Sequence, residues 1–233
     1  IILSQGKKMK VITFTVTTLL FVVALTGCAS KIKPETVTSS NGSSIEIMAV
    51  SAQADLNNNR LADNSLRVVT PTHNAVGKGL AVLSVLTGNI KPSSFDKENY
   101  KGEVIESMKN PTDTYLAQGA KKSISKWMDS QSSGYVYKEQ LNIGHATWAL
   151  IFKDATATTP VYQLKYKVLF YKKPEGGNMF SAYTVAECSP VPVEANLSEW
   201  ERDNYKKVTI ETQKYMDACI LELNNQLPRL LKK

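Results

Sequence analysis

The 233-residue chain has only three cysteines and two histidines, and each scarcity excludes a class of protein. Three cysteines are too few for a disulfide-rich scaffold, and two histidines leave little room for a histidine-rich metal site. Charged residues make up 21% of the chain and hydrophobic residues 42%, a balance that excludes a disordered or collagen-like protein. The length and composition are typical of one globular domain with a short extension.

Local catalytic motifs are also missing. The sequence contains no GxSxG, no HExxH and no phosphate-binding GxxxxGK[ST]. His73 and His145 could each act as a base or ligand, but a surface or capping role is favoured for both. We therefore expect a non-enzymatic protein without metal or cofactor, and a hydrolase with a site near His73 is the alternative.

The first 27 residues carry the clearest functional signal. Lys10 is followed by an apolar run over residues 11–24 that contains four threonines. A membrane-spanning helix needs about 20 mainly apolar residues, so the run indicates a secretory signal instead. Residues 9–27 are the expected signal peptide, and residues 1–8 are interpreted as a translated prefix ahead of a true start at Met9.

Leu25-Thr26-Gly27-Cys28 follows that apolar run and resembles the lipobox of bacterial lipoproteins. The resemblance implies cleavage before Cys28, diacylation of Cys28 and anchoring in a membrane. Ala29, where an Asp would favour the inner membrane, implies the outer membrane, with the domain facing the periplasm. The alternative is an ordinary signal peptide with a chance cysteine.

The mature chain divides into a tether and one domain. Residues 28–44 are rich in Ser, Thr and Lys without an apolar period, which predicts a flexible lipidated tether. Residues 45–233 are the predicted domain. Removing Lys7, Lys8 and Lys10 with the leader leaves 25 basic and 21 acidic residues, so the charge falls from +7 to +4.

Alternation of apolar and polar residues predicts the sheet. Short strands are expected over 45–51 and 66–70, and longer ones over 135–188, the last of them over 179–188. Each is expected to bury one face. On this pattern His145 faces solvent, and Lys165 and Lys167 face away from Tyr166. The aromatic residues of this strand are therefore assigned to the core, and a nucleic-acid-binding function is rejected.

Two segments have helical spacing. Asn110 and Pro111 predict a helix start, with an amphipathic helix to about residue 130. Ser198 and Glu201 form a capping-box pattern before a long C-terminal helix, which is expected to end near Pro228. The predicted fold is α+β, a mainly antiparallel sheet packed on one face by these two helices.

If Cys28 is lipidated, Cys188 and Cys219 are the two cysteines that can still form a disulfide. An oxidising periplasm favours a disulfide between them. Two buried free thiols are the alternative. A redox pair is disfavoured because the CxxC spacing is absent.

Residues 74–88 are the most apolar part of the mature chain. Val76, Leu80, Leu83 and Leu86 lie at helical spacing, which favours a buried element and leaves an interface or ligand-contacting segment as the alternative. The sequence therefore predicts a lipid-anchored accessory or assembly factor with an envelope protein as partner. A carrier or sensor of lipid, lipopolysaccharide or peptidoglycan is the runner-up.

Overall fold

The computed structural model describes residues 34–50, 53–55, 60–61, 63–71, 102–132, 134–154 and 157–233. In these residues the strands are β1 (Glu35–Thr38), β2 (Ser44–Val50), β3 (Gln53–Asp55), β4 (Arg60–Leu61), β5 (Arg67–Val69), β6 (Glu103–Val104), β7 (Leu141–Gly144), β8 (Thr147–Phe152), β9 (Val161–Lys172), β10 (Thr184–Cys188) and β11 (Val193–Asn196). A π-helical turn, Thr112–Leu116, leads into helix α1 (Ala117–Asp129), and helix α2 spans Leu197–Leu230.

Strand β9 organises the sheet, because two strands pair with it on each side. β8 and β11 flank its first half, and β7 and β10 flank its second half. Beyond them, β2 pairs with β7 and β5 pairs with β8, both in parallel. β1 and β6 complete the two outer edges in antiparallel pairing, while β3 and β4 form a separate small hairpin.

The sheet curls at irregularities beside β9. Ile143 pairs with Phe170 and Thr147 with Lys167, so four steps along β7–β8 match three along β9. A strand with one extra residue bends and twists more strongly than its partner. The extra residue lies around His145, so the alternation of faces that holds in a regular strand does not apply at this position.

The two helices pack on the sheet and on each other. Ala120, Ile124 and Met128 of α1 are buried, as are Met216, Leu223 and Leu227 of α2. Gly119 permits close approach of the helices, because a Cβ there would lie 2.2 Å from the Ile220 Cδ1 atom. The α+β prediction, with a mainly antiparallel sheet and these two helices, is confirmed.

The prediction of one buried face per strand holds for β9 as far as Phe170. It is wrong for the end of β9, where Tyr171 and Lys172 are also buried, and for β8. Lys165 and Lys167 are half-buried while Tyr166 is buried, as the alternation in β9 predicts. In β8, every residue from Thr147 to Phe152 is buried. β8 lies between β9 and β5 inside the sheet, and the burial of all six residues shows that both of its faces are covered.

The predicted tether over residues 28–44 is wrong from Glu35 onward. Glu35–Thr38 pairs with β2, and the turn that follows is fixed to α1 by the side chain of Asn41. The Asn41 Nδ2 atom donates to the carbonyl oxygens of Met128 at 2.7 Å and Gln131 at 3.0 Å. The ordered domain therefore begins about ten residues earlier than the predicted boundary at residue 45.

Helix α2 starts and ends differently from the prediction. Its N-cap is Asn196, whose backbone amide donates to Glu199 Oε1 at 3.4 Å, so the predicted cap at Ser198 and Glu201 is displaced by two residues. Pro228 lies inside the helix, which continues to Leu230. The helix is also interrupted: Asp203, Asn204 and Tyr205 have φ values of 52°, 54° and 62°.

Candidate functional site

Several predicted site residues lie outside the described part of the chain. They are Cys28, His73, Val76, Leu80, Leu83 and Leu86. Lipidation, a site near His73 and an apolar surface over residues 76–86 consequently stay predictions.

Cys188 and Cys219 lie together. Their sulfur atoms are 1.98 Å apart, and the bond joins the end of β10 to the middle of α2 across a sequence separation of 31 residues. Cys219 is fully buried between helix and sheet. The pairing proposed from the sequence therefore has the geometry of a structural cross-link.

His145 lies in a polar network at the β7–β8 bulge. Its Nδ1 atom is 3.0 Å from Asn64 Nδ2, and its Nε2 atom is 3.0 Å from Asp113 Oδ1. Because the Asn64 amide donates, Nδ1 accepts and Nε2–H donates to Asp113. The side chain is only 12% exposed, so the prediction that it faces solvent is wrong.

Asn110 ties this network to the sheet. Its Nδ2 atom donates to the carbonyl oxygens of Asn64 at 2.8 Å and Ala146 at 2.7 Å, and its Oδ1 accepts from Thr112 Oγ1 at 2.7 Å. Thr112 Oγ1 in turn accepts from the Ala146 amide at 3.0 Å. These bonds supply partners for backbone groups at the bulge, where ladder pairing is interrupted. Both ring nitrogens of His145 are engaged, so its observed role is structural.

A cleft of about 290 Å³ lies at the interruption of α2. Its lining comprises Glu199, Arg202, Asp203, Lys206, Lys207, Ile210 and Glu211. Three acidic and three basic side chains leave it without net charge, so its electrostatics favour neither an anionic nor a cationic ligand. Within the described residues, no group of three His, Cys, Asp or Glu side chains could hold a metal ion.

The most distinctive surface is one end of the sheet, which we call the basic edge and define as residues 134–140, 173–183 and 229–233. Tyr137 OH donates to the Leu231 carbonyl oxygen at 3.0 Å, and Arg229 Nη2 donates to the Val185 carbonyl oxygen at 2.7 Å. These bonds bring the C-terminal residues beside the loop between β9 and β10. Three distant segments thus form one continuous surface.

Large apolar side chains are exposed on the basic edge. Phe180 is 87% exposed, Met179 is 79% exposed and Val136 is 65% exposed. Met179 and Phe180 occupy the β9–β10 loop, whereas the sequence pattern placed them in the last strand. Exposed large apolar side chains on adjacent residues of one loop, as at Met179 and Phe180, are typical of a contact surface.

Five basic residues belong to the basic edge, and one of them, Lys173, contacts the loop that carries Met179 and Phe180, where its Nζ atom donates to the Met179 carbonyl oxygen at 3.0 Å. The basic edge contains Lys138, Lys173, Arg229, Lys232 and Lys233, and its acidic residues are Glu139 and Glu175. Glu175 is neutralised by an ion pair with Lys172, so only one acidic side chain opposes five basic ones. The side chains of this surface therefore carry a net positive charge.

Two lysines of the basic edge lie over tyrosine rings. Lys173 Nζ lies 5.6 Å from the centroid of the Tyr183 ring, and Lys233 Nζ lies 5.1 Å from that of Tyr135. Burial is the main cause that raises the pKa of Tyr137 to about 12, with a further contribution from Glu175. Tyr137 thus remains a neutral hydroxyl donor to the Leu231 carbonyl oxygen.

The sequence contained a signal for the Met179–Phe180 loop. Gly176, Gly177 and Asn178 precede it, and such residues favour turns. Gly176 has a φ of 68°, which a turn requires. Because the sequence pattern assigned Met179 and Phe180 to the last strand, it did not predict that their side chains are exposed. The basic residues that join this loop could not be assigned, because they come from segments about 40 and 50 residues away in the chain.

Comparisons of the chain with protein-family models, curated proteins and solved structures found no match. In the part of the chain that the structure describes, no helix is both long and apolar enough to cross a membrane.

Proposed function

We propose that the chain is a lipid-anchored cell-envelope protein that acts at the outer membrane as a non-enzymatic accessory or interaction factor. The observation that carries the proposal is Leu25-Thr26-Gly27-Cys28 directly after an apolar signal segment. A single acyl chain binds a bilayer only marginally, and stable anchoring takes two signals or more. A diacylated Cys28 meets that requirement.

The short distance along the chain from Cys28 to the sheet supports this proposal. Six residues lie between Cys28 and Glu35, the first residue of β1. Fully extended, the seven residue-to-residue steps from Cys28 to Glu35 span at most about 25 Å. A lipidated Cys28 would therefore hold the domain against the bilayer, closer than the 16-residue flexible tether expected from the sequence.

The described surface supports a binding role. Its polar network around His145 serves backbone groups of the fold, whereas the basic edge exposes the large apolar side chains of Met179 and Phe180 beside basic residues. Such a surface supports contacts with other envelope components. An envelope protein is the expected partner of the anchored domain.

The anchor is tested by expressing the full chain in a Gram-negative host and fractionating the cells. We expect the protein in outer-membrane vesicles after a high-salt wash, with an N-terminal peptide that begins at a Cys28 carrying acyl chains in mass spectrometry. The Cys28→Ala variant should lose both properties, while a Cys188→Ala/Cys219→Ala variant should keep them. Cleavage elsewhere, or an unmodified Cys28, would refute the proposal.

The accessory role needs a second experiment. Cross-linking in intact cells followed by detergent extraction and mass spectrometry should yield a reproducible envelope protein linked to the domain. The Cys28→Ala variant provides the control, because a released domain should lose that cross-link. A protein that stays anchored but monomeric and without a partner at native abundance would contradict the accessory role and leave the anchor intact.

A further inference from the structure

We propose that the basic edge lies on the anionic phospholipid surface of the bilayer that holds the anchor, with Met179 and Phe180 inserted at the level of the headgroups. The proposal rests on the proposed function, because the anchor is what brings the domain to the bilayer. It assigns the edge a ligand, anionic phospholipid, and it fixes the orientation of the domain.

The chemistry of the edge matches a lipid surface. An aromatic and a thioether side chain project from one loop, with Lys173 at its base and Lys138, Lys232 and Lys233 beside it. Apolar side chains that enter the acyl boundary, combined with cations that contact anionic headgroups, are the two contributions that hold interfacial proteins. Tyrosines beneath them are amphipathic residues common at this depth.

The loop presents its apolar residues in an ordered conformation. The Phe180 amide donates to Asn178 Oδ1 at 2.9 Å, and the Asn178 amide donates to Ser181 Oγ at 2.9 Å. The base of the loop is fixed because Glu175 accepts from the Lys138 amide at 3.0 Å and pairs with Lys172. A contact surface that is ordered in advance loses less entropy on binding.

Strand register places the anchor within reach of the same surface. Glu35 pairs with Ile47, Ile47 with Leu141, Leu141 with Lys172, and Lys172 with Thr184. The first residue of β1 therefore shares a row with the base of the β9–β10 loop. Three strand spacings separate β1 from β9, or about 14 Å. β1 runs in the same direction as β9, so the chain between Cys28 and Glu35 has to turn back toward the loop. Its extended length of at most about 25 Å is sufficient for Cys28 and Phe180 to enter one bilayer together.

The size of the apolar surface favours lipid over a protein partner at this edge. A stable protein interface buries about 800 Å² on each side around an apolar centre. The basic edge offers three exposed large apolar side chains, of which only Met179 and Phe180 are adjacent. A bilayer accepts such a small insertion because the anchor raises the local concentration of the edge at the surface.

The test places a nitroxide label on the edge of the full, lipidated protein in vesicles. Ala182→Cys is exposed next to the tip and leaves Met179 and Phe180 unchanged, while Cys28 carries lipid and Cys188 and Cys219 are paired. Val191→Cys is the matched control, because Val191 is 86% exposed on the loop between β10 and β11. Vesicles contain either phosphatidylcholine alone or 30 mol% phosphatidylglycerol, a fraction that we set at roughly the anionic content needed for charge attraction.

In anionic vesicles, we expect the label at position 182 to become several-fold more accessible to oxygen than to a water-soluble nickel chelate, while the label at 191 stays in water. Met179→Ser/Phe180→Ser should return label 182 to water, and Lys138→Glu/Lys173→Glu should weaken its insertion. An unchanged thermal midpoint verifies that these surface variants fold.

The results that would overturn this inference differ from those that would overturn the anchor. A protein that stays on vesicles through Cys28 while label 182 remains aqueous overturns this inference and leaves the anchor standing. A protein that carries no lipid and leaves the vesicles overturns both. Equal insertion into neutral and anionic vesicles, release by millimolar inorganic phosphate, or immobilisation of label 182 by self-association without vesicles would each overturn the assignment of anionic lipid as the ligand.

Discussion

Lys172 and Glu175 form an ion pair at the end of β9, with side chains that are 0% and 5% exposed. Lys172 Nζ also donates to the Lys173 carbonyl oxygen at 3.0 Å and lies 5.5 Å from the centroid of the Tyr137 ring. Glu175 accepts from the amides of Lys138 and Glu139 at 3.0 Å and 3.3 Å. The pair thus joins the β9–β10 loop to the segment before β7. This loop and this segment are two of the three parts of the basic edge.

Removing one partner of this pair should be strongly destabilising. Lys172→Met leaves the Glu175 carboxylate buried without its cation, and breaking a buried pair in this way costs about 3–5 kcal/mol. We expect a loss of that size in the free energy of unfolding measured by urea denaturation. Lys172→Met/Glu175→Gln should recover part of it, because the neutral amide still accepts from the Lys138 amide.

An exposed ion pair provides the control. Lys153 and Glu194 form an ion pair at 2.9 Å, with side chains 55% and 38% exposed. Such pairs contribute about 0–1 kcal/mol, so Lys153→Met should change the free energy of unfolding little. If Lys172→Met and Lys153→Met lowered the free energy of unfolding equally, burial would not increase the contribution of the Lys172–Glu175 pair to stability.

The free energy of unfolding should decrease in acid because Glu175 becomes protonated. Burial raises the pKa of this carboxyl, but the Lys172 ammonium and the Lys138 and Glu139 amides outweigh burial and hold the pKa below its usual value of 4.5. A depressed folded pKa stabilises the fold above pH 4.5, and this contribution is lost as the pH falls below that value. Free energies of unfolding for the wild type and Glu175→Gln should therefore converge between neutral and acidic pH.

Glu194→Gln is the comparison for this pH effect. Lys153 and Gln163 lower the pKa of Glu194, yet this carboxylate is accessible to solvent, which screens it. Its substitution should alter the acid dependence less than Glu175→Gln does. A difference between wild type and Glu175→Gln that stays constant from neutral pH into the acidic range would contradict the proposed linkage.

Asn110→Ala should destabilise the β7–β8 bulge. The substitution removes the donor to the Ala146 carbonyl oxygen and the acceptor for Thr112 Oγ1, while the Asn64 carbonyl oxygen retains Trp148 Nε1 at 3.0 Å. An unsatisfied buried acceptor costs about 1–3 kcal/mol. Thermal unfolding should show the loss, and Asn225→Ala on the exposed side of α2 should cost nothing. An unperturbed Asn110→Ala variant would refute the role of this amide.

The Cys188–Cys219 bond should stabilise the domain. Cross-linking across 31 residues of sequence corresponds to about 3–4 kcal/mol in the chain-entropy description. Cys188→Ala/Cys219→Ala, or reduction of the wild type, should lower the free energy of unfolding by that amount. Thiol titration of the unreduced, denatured protein should find neither residue free, and two reactive thiols would contradict the bond.

The local periods of burial could be read from the sequence. Alternation in 161–172 predicts β9, because successive side chains of a strand point to opposite faces. Spacing of three and four residues predicts α1 and α2, because those positions lie on one helical face. These patterns are properties of neighbouring residues, so they require no knowledge of distant partners.

The interruption of α2 was not predictable from that period. Tyr205 packs against the core from a left-handed conformation, and Ser107 Oγ donates to Asn204 Oδ1 at 3.2 Å. Trp200, before the interruption, is buried and donates from Nε1 to the Tyr162 carbonyl oxygen at 3.2 Å. A non-glycine residue in this conformation costs free energy, so contacts with distant elements must hold it.

The sequence by itself determined the types of element, favoured the pairing of Cys188 with Cys219 and supplied the pattern on which the proposed anchor at Cys28 rests. Only the tertiary structure decided that His145 is enclosed, that β8 is buried on both faces and that Glu35 shares a row with Lys172. It also assembled the basic edge around Phe180. The reason is physical: period follows from local backbone geometry, whereas register and surface assembly depend on which distant segments pair.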